Sequence, residues 1–274
     1  MQYLTFGVTG SQQTASLSLY LLDNSLEIDP RRRRPMVLIC PGGAYRFTSD
    51  REAEAVAVRM LAMGCHAALL RYSCAPARYP ESLCQLARAV AMIRERAGEW
   101  TVDPEKIYVM GFSAGGHLAA SLGVFWNHED LSNAVELDNS LLRPNRLILC
   151  YPVITTGTFT HAESIENLTG SRKDKPSSLW EHLSLERRVS AETPPTFLWH
   201  TVEDPAVPVE NSLLFASALR RRQVPFELHV FQKGGHGLSL GTEEIQCKAT
   251  RYPNQPNIRS WVSLLRTWLE LDNF

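Results

Sequence analysis

Gly111-Phe112-Ser113-Ala114-Gly115 stands between a short apolar run, Ile107 to Met110, and a stretch from His117 to Trp126 that reads as helix. A strand, then Gly-x-Ser-x-Gly, then a helix, is the order needed for a turn so tight that the residues two before and two after the serine must have almost no side chain. Ser113 then stands exposed at a helix start, where free N–H groups and the helix dipole favour an oxyanion, and Ala114 can donate its own N–H. The chemistry such a serine performs is acyl transfer, which needs a base to take the hydroxyl proton and a carboxylate to orient that base. His236, in Lys233-Gly234-Gly235-His236-Gly237, and Asp204, before Pro205, both follow later strand-like segments and are the expected base and acid. His117 is the nearest rival histidine, but it lies in the helix after the serine, where lateral packing is the simpler role. Glu203 is the rival carboxylate. Neighbouring extended residues point to opposite sides, and Pro205 restricts Asp204, so Asp204 is expected to face the histidine and Glu203 the surface. A second oxyanion donor should come from the loop Pro41-Gly42-Gly43-Ala44 after an earlier strand, with Gly43 or Ala44 donating.

Those side chains require a particular scaffold. Residues 1–30 alternate loosely (Leu17, Leu19, Leu21 against Ser16, Ser18, Tyr20), the period of an antiparallel, half-exposed sheet edge. Met36 to Cys40, His66 to Tyr72, Ile107 to Met110, Arg146 to Tyr151, Thr196 to His200 and Phe226 to Phe231 read as buried strands. Helical spacing fills the intervals at Ser49 to Met63, with Ser49 or Asp50 as N-cap, at Glu81 to Ala97 and at Val209 to Arg222. Asn257 to Leu271 reads as a final amphipathic helix. Such alternation implies a mostly parallel sheet covered by helices on both faces. Between Pro152 and Pro195 the rhythm breaks into polar sequence with short helical pieces such as Ser177 to Leu185, the mark of a lid-like insertion at about 153–195. The expectation is one α/β domain over residues 1–274, with no internal repeat.

Composition narrows the function classes. A formal net charge of −1 over 274 residues offers no basic excess for nucleic acid or an anionic membrane. The run Arg31 to Arg34 precedes a buried strand and reads as a solvated loop. No segment approaches the ~20 apolar residues of a membrane span, and the N-terminus lacks the cationic and apolar regions of a signal peptide; a cytoplasmic location is expected. The six cysteines, Cys40, Cys65, Cys74, Cys84, Cys150 and Cys247, are scattered, and no Cys/His spacing suggests a metal. Neither cofactor nor metal is expected.

Five ordered motifs together carry a resemblance: Pro41-Gly42-Gly43-Ala44-Tyr45, Tyr72-Ser73-Cys74-Ala75-Pro76 leading to Tyr79-Pro80, Gly111 to His117, Asp204-Pro205-Ala206-Val207-Pro208 and Lys233 to Gly237. From Val37 onward the chain resembles the α/β-hydrolase esterases of the acetyl-xylan-esterase and feruloyl-esterase-like group, whose serine, acid and histidine follow one another in this order. The resemblance implies hydrolysis of carboxylic esters, often acetyl groups on plant-polysaccharide sugars, without a cofactor. It departs from that pattern at Ala44, where many relatives carry a third glycine, and at Cys40, where the hormone-sensitive-lipase-like branch has histidine. Ser113 is then the nucleophile, His236 the base and Asp204 its orienter, with Gly43, Ala44 and Ala114 at the oxyanion. Tyr45, Arg46 and the insertion are the candidates for substrate contact, and the expected partner is a small-molecule or oligosaccharide ester, with homo-oligomerisation open. The rival readings are a serine peptidase or arylformamidase, and a binding protein built on an inactive hydrolase fold.

Overall fold

The alternating N-terminal segment forms the antiparallel edge of an eight-stranded sheet: β1 (Gln2–Thr9) pairs with β2 (Thr14–Leu21), and β2 with β4 (His66–Arg71). The remaining pairings are parallel and involve β3 (Arg34–Cys40), β5 (Val102–Phe112), β6 (Arg146–Cys150), β7 (Thr196–Thr201) and β8 (Phe226–Phe231). The order across the sheet is β1-β2-β4-β3-β5-β6-β7-β8. The computed structural model describes residues 1–246 and 255–271; Cys247 lies outside them. The chain steps from β3 to one side for β4 and to the other for β5, so the crevice beyond the carboxyl ends of these strands is the topological switch point where ligands bind in open α/β sheets.

Apolar side chains leave the sheet on both faces. On one, Val37, Ile39, Met110 and Trp199 pack with α1 (Glu54–Leu61) and α9 (Trp261–Trp268). On the other, Leu38, Val109 and Leu149 pack with α2 (Glu81–Glu95), α3 (Ala114–Phe125) and α8 (Glu210–Arg221). Every residue of α3 is buried, because the helix lies between the sheet and α2. This explains its apolar sequence on all sides. Two short helices not expected from sequence, α4 (Glu129–Val135) and α5 (Asn139–Leu142), join α3 to β6. The segment read as one helix from Ser49 divides into a 3₁₀ turn, Asp50–Glu52, and α1, with Ala53 (φ −113°, ψ −109°) interrupting them; Ser49 makes no side-chain cap. The insertion between β6 and β7 carries α6 (Ala162–Thr169) and α7 (Ser178–His182). Its small core, Val153, Ile165 and Trp180, closes on Val207, three residues after Asp204.

Among the described residues no helix is long and apolar enough to cross a membrane. The described cysteines are free, and burial pushes the Cys65 thiol up to about 12 and the Cys84 thiol up to about 11.

Two buried histidines make the fold sensitive to acid. His66 Nδ1 accepts from the Leu22 N–H at 3.1 Å, and His117 Nε2 donates to the Leu183 carbonyl at 3.1 Å. Burial, aided at His66 by the Arg34 charge, pulls each imidazole down to about 4. An unfolded histidine titrates near ~6.5, so below that pH the unfolded chain binds protons the folded one refuses. Stability is therefore complete above ~6.5 and falls between there and pH 4, by roughly 3 kcal/mol at each site at most. Urea unfolding at pH 7 and 4.5, with imidazole NMR titration, checks this: both rings should stay neutral at pH 5, and a ring protonating near 6.5 would contradict the assignment.

Candidate active site

The residues after five parallel strands converge at the switch point. Ser113 follows β5 with φ 54° and ψ −118°, a conformation unusual for a residue with a Cβ. It is tolerated because the flanking glycines allow α3 to press against the strands. A Cβ on Gly111 would stand 2.1 Å from the Gly115 carbonyl oxygen, and one on Gly115 2.1 Å from that of Cys40. Ser113 Oγ lies 2.7 Å from His236 Nε2, and His236 Nδ1 lies 2.6 Å from Asp204 Oδ2. Nδ1–H donates to the carboxylate, which leaves Nε2 free to accept from the serine hydroxyl.

The carboxyl side chain of Asp204 has no exposed surface. Its Oδ1 accepts from the N–H groups of Ala206 and Val207, each at 2.9 Å, in the turn through Pro205. Burial alone would raise its pKa, but hydrogen bonds from His200, His236 and the Val207 N–H outweigh that and hold the carboxyl well below the usual carboxylate range. His200 closes the segment Thr196 to His200 that reads as a buried strand. It is wholly buried: Nε2 donates to the Val207 carbonyl at 2.9 Å and lies 3.4 Å from Asp204 Oδ2, while Nδ1 accepts from Ser212 at 2.8 Å. Glu203 is exposed.

The loop after β3 abuts the serine, since a Cβ on Gly42 would lie 2.8 Å from Ser113 Cβ. Its outward carbonyls are engaged: Gly42 O accepts from Ser49 N at 2.9 Å, and Gly43 O from Arg46 N at 2.9 Å. Gly43 takes φ 129°, in the region that favours glycine. Among the described residues, none accepts from the N–H groups of Gly43, Ala44 or Ala114, so these remain as donors beside Ser113. Tyr72 donates to the Pro41 carbonyl at 2.7 Å and Asn167 of α6 to that of Ala44 at 2.9 Å, bracing the loop from behind and from the insertion.

Tyr45 is not a substrate contact. The turn at Ala44 and Tyr45, both at φ 54°, sends the tyrosine inward, where it is 2% exposed and donates to His117 Nδ1 at 2.9 Å. The same bond accounts for His117, whose ring is held laterally and away from Ser113. Arg46 does face solvent, with a side chain 66% exposed and 3.1 Å from Glu163 of the insertion. Among the described residues no group of three or more His, Cys, Asp or Glu side chains is arranged to hold a metal.

The profile of the BD-FAE family matches residues 22–219, which include the glycine loop, the serine elbow and the acid-bearing turn. The chain belongs to the BD-FAE family. This BD-FAE chain is 39% identical over 217 residues to endo-1,4-beta-xylanase B of Butyrivibrio fibrisolvens, covering 78% of the chain and 34% of that relative. It spans about a third to a half of the length of the first curated relatives it matches. Among solved structures, the acetyl ester-xyloside bifunctional hydrolase of Caldicellulosiruptor lactoaceticus superposes with a TM-score of 0.79 at 36% identity, covering 96% of the chain and 89% of its counterpart. The carboxylesterase Cest-2923 of Lactobacillus plantarum gives 0.87 at 29% identity, covering 100% and 98%. The BD-FAE chain thus has the α/β-hydrolase fold.

The packing at the elbow has a measurable consequence. Gly115→Ala would drive a methyl group against two backbone carbonyls, those of Cys40 and Pro41, at 2.1 and 2.4 Å, where no flexible side chain can give way. Urea unfolding should show a loss of roughly 3 kcal/mol or more. A loss below about 1 kcal/mol would contradict the close packing described here.

Proposed function

We propose that the chain is a serine carboxylester hydrolase that removes acetyl or other small acyl groups from carbohydrate or related alcohols. The observation that carries this reading is the hydrogen-bonded chain Ser113–His236–Asp204, 2.7 and 2.6 Å between its polar atoms, at the carboxyl edge of the sheet. Ser113 Oγ attacks the ester carbonyl while His236 Nε2 takes its proton, and the electron pair of the carbonyl moves onto oxygen, where the N–H groups of Ala114 and of Gly43 or Ala44 stabilise it. Collapse expels the alcohol with the proton returned by His236 and leaves the acyl group on Ser113. Water, deprotonated by His236, then attacks the acyl carbonyl, and collapse releases the acid as His236 returns the proton to Ser113 Oγ. Asp204 stays ionised and holds the imidazole in the tautomer that accepts from serine. Ala44 in place of a third glycine narrows the space beside the acyl carbon, which favours short acyl groups, and the insertion around residues 153–195 serves as the wall on the alcohol side. Relatives that act on xylan and acetyl esters support a sugar-borne acetyl group as substrate.

Acyl chain length should be screened with p-nitrophenyl esters, followed by acetylated xylo-oligosaccharides and matched anilides. Acetate esters are expected to give the highest kcat/KM, and preference for the anilides would overturn the ester reading. Ser113→Ala should lower kcat by about 10⁶-fold without loss of fold.

The two adjacent carboxylates give a separate test. Asp204→Asn favours the wrong imidazole tautomer and should cost about 10⁴-fold in kcat, whereas Glu203→Gln should leave it near the original value. An inactive Glu203→Gln beside an active Asp204→Asn would reassign the acid.

A further inference from the structure

One buried carboxylate plays no part in that chemistry. Glu52 ends the 3₁₀ turn before α1 and is 2% exposed. Its Oε2 accepts from the Gly42 N–H at 2.7 Å, and its Oε1 accepts from the Tyr151 hydroxyl at 2.7 Å. Gly42 opens the loop that bears the oxyanion donors. Tyr151 follows β6, and its hydroxyl oxygen in turn accepts from the Ser239 N–H at 2.9 Å, three residues past His236. The Tyr151 ring meets the His236 ring edge-on, with centroids 5.1 Å apart at 71°. Ser239 Oγ donates to the Arg51 carbonyl at 2.7 Å and Trp261 Nε1 to the Ser239 carbonyl at 3.0 Å, so the histidine loop is tied back to the residue beside Glu52 and to α9. Burial and the Glu52 charge push the Tyr151 phenol well above its ordinary pKa, which keeps it a donor.

The 3₁₀ turn Asp50–Glu52 is set off from α1 at Ala53, and from this turn the Glu52 carboxylate meets both Gly42 and Tyr151. Burying a carboxylate costs several kcal/mol before its hydrogen bonds are counted, and apolar side chains of similar volume often stabilise a fold as well or better. Packing alone therefore does not account for it.

We propose that Glu52 is a positioning residue, acting through Gly42 and Tyr151 to hold the oxyanion loop and the His236 loop in one fixed relation. The inference rests on the serine-hydrolase reading of the site. Oxyanion donors contribute only when they already stand where charge develops, and errors well under 1 Å at remote supports are felt in the chemical step. Glu52 fixes the first peptide of the loop, Tyr151 carries that constraint to the base, and neither touches the substrate.

Glu52→Gln keeps the volume but offers one acceptor and one donor, so it can satisfy the Gly42 N–H or the Tyr151 hydroxyl, not both. Tyr151→Phe keeps the ring against His236 and removes the link. Each single variant and the double variant should be assayed on p-nitrophenyl acetate for kcat and KM, with thermal unfolding and the rate of fluorophosphonate labelling measured alongside. The expected result is a fall in kcat of roughly 10- to 100-fold in each single variant, KM within about threefold, labelling slowed in parallel, and a double variant no slower than the worse single one. Folded single variants with kcat within about twofold of the parent, or losses that multiply in the double variant, would overturn the positioning role. Should Glu52→Gln fail to fold, Tyr151→Phe alone decides on the same kcat and labelling criteria. A parent enzyme inactive on every ester, or a Ser113→Ala variant as active as the parent, would instead overturn the hydrolase reading itself.

Discussion

The structure depends on the close approach of α3 to the ends of β3 and β5. A serine at φ 54° persists only where its surroundings leave it no alternative. Here the backbone oxygens of Cys40, Pro41 and Gly115 stand where a Cβ on Gly115 or Gly111 would need to be. That contact places the helix start, with its unpaired N–H groups, beside the loop after β3. It also explains why α3 is apolar around its whole circumference: a helix so close to the sheet, and covered by α2, has no solvent face. The fold and the geometry at Ser113 are two aspects of one packing decision.

Charge is managed around that point by confinement. Asp204 is buried and held ionised by His236 and two backbone N–H groups that donate to it, with His200 3.4 Å away, and Glu52 is buried where a backbone N–H and a phenol donate to it. Each carboxylate is joined to loops from different strands: Asp204 links the turns after β7 and β8, and Glu52 those after β3, β6 and β8. These buried acceptors join loops that leave different strands at one sheet edge, beside ties such as that from Ser239 Oγ to the Arg51 carbonyl. The insertion adds a further tie through Asn167, which donates to the Ala44 carbonyl.

Much of this was legible in the sequence, for identifiable reasons. Uninterrupted apolar runs separated by helical spacing give a parallel sheet with little ambiguity, and glycines beside Ser113 and His236 mark loops whose paths only glycine permits. Pro205 distinguished Asp204 from Glu203. The rest needed coordinates. Glu52 is one acid within a segment that reads as helix, and nothing local shows that the helix breaks at Ala53 or that this carboxylate meets Gly42 and Tyr151. Tyr45, adjoining the glycine loop, read as a ligand-facing aromatic; the left-handed pair Ala44–Tyr45 reverses it into the core beside His117, a conformation that neither residue type announces. His200 lies within an apolar strand and gives no sign that it sits 3.4 Å from Asp204. The short helices α4 and α5 escaped notice because polar sequences of that length carry little periodicity.

The central claim is that Ser113 is a nucleophile activated by His236 and oriented for attack, and covalent trapping addresses it most directly. The protein should be treated with a fluorophosphonate and digested, and the adduct located by mass spectrometry. A single adduct per chain on the peptide bearing Ser113, lost in His236→Ala, is the expected result. An unmodified Ser113 under conditions that label a known serine hydrolase, or an adduct on another residue, would contradict the account.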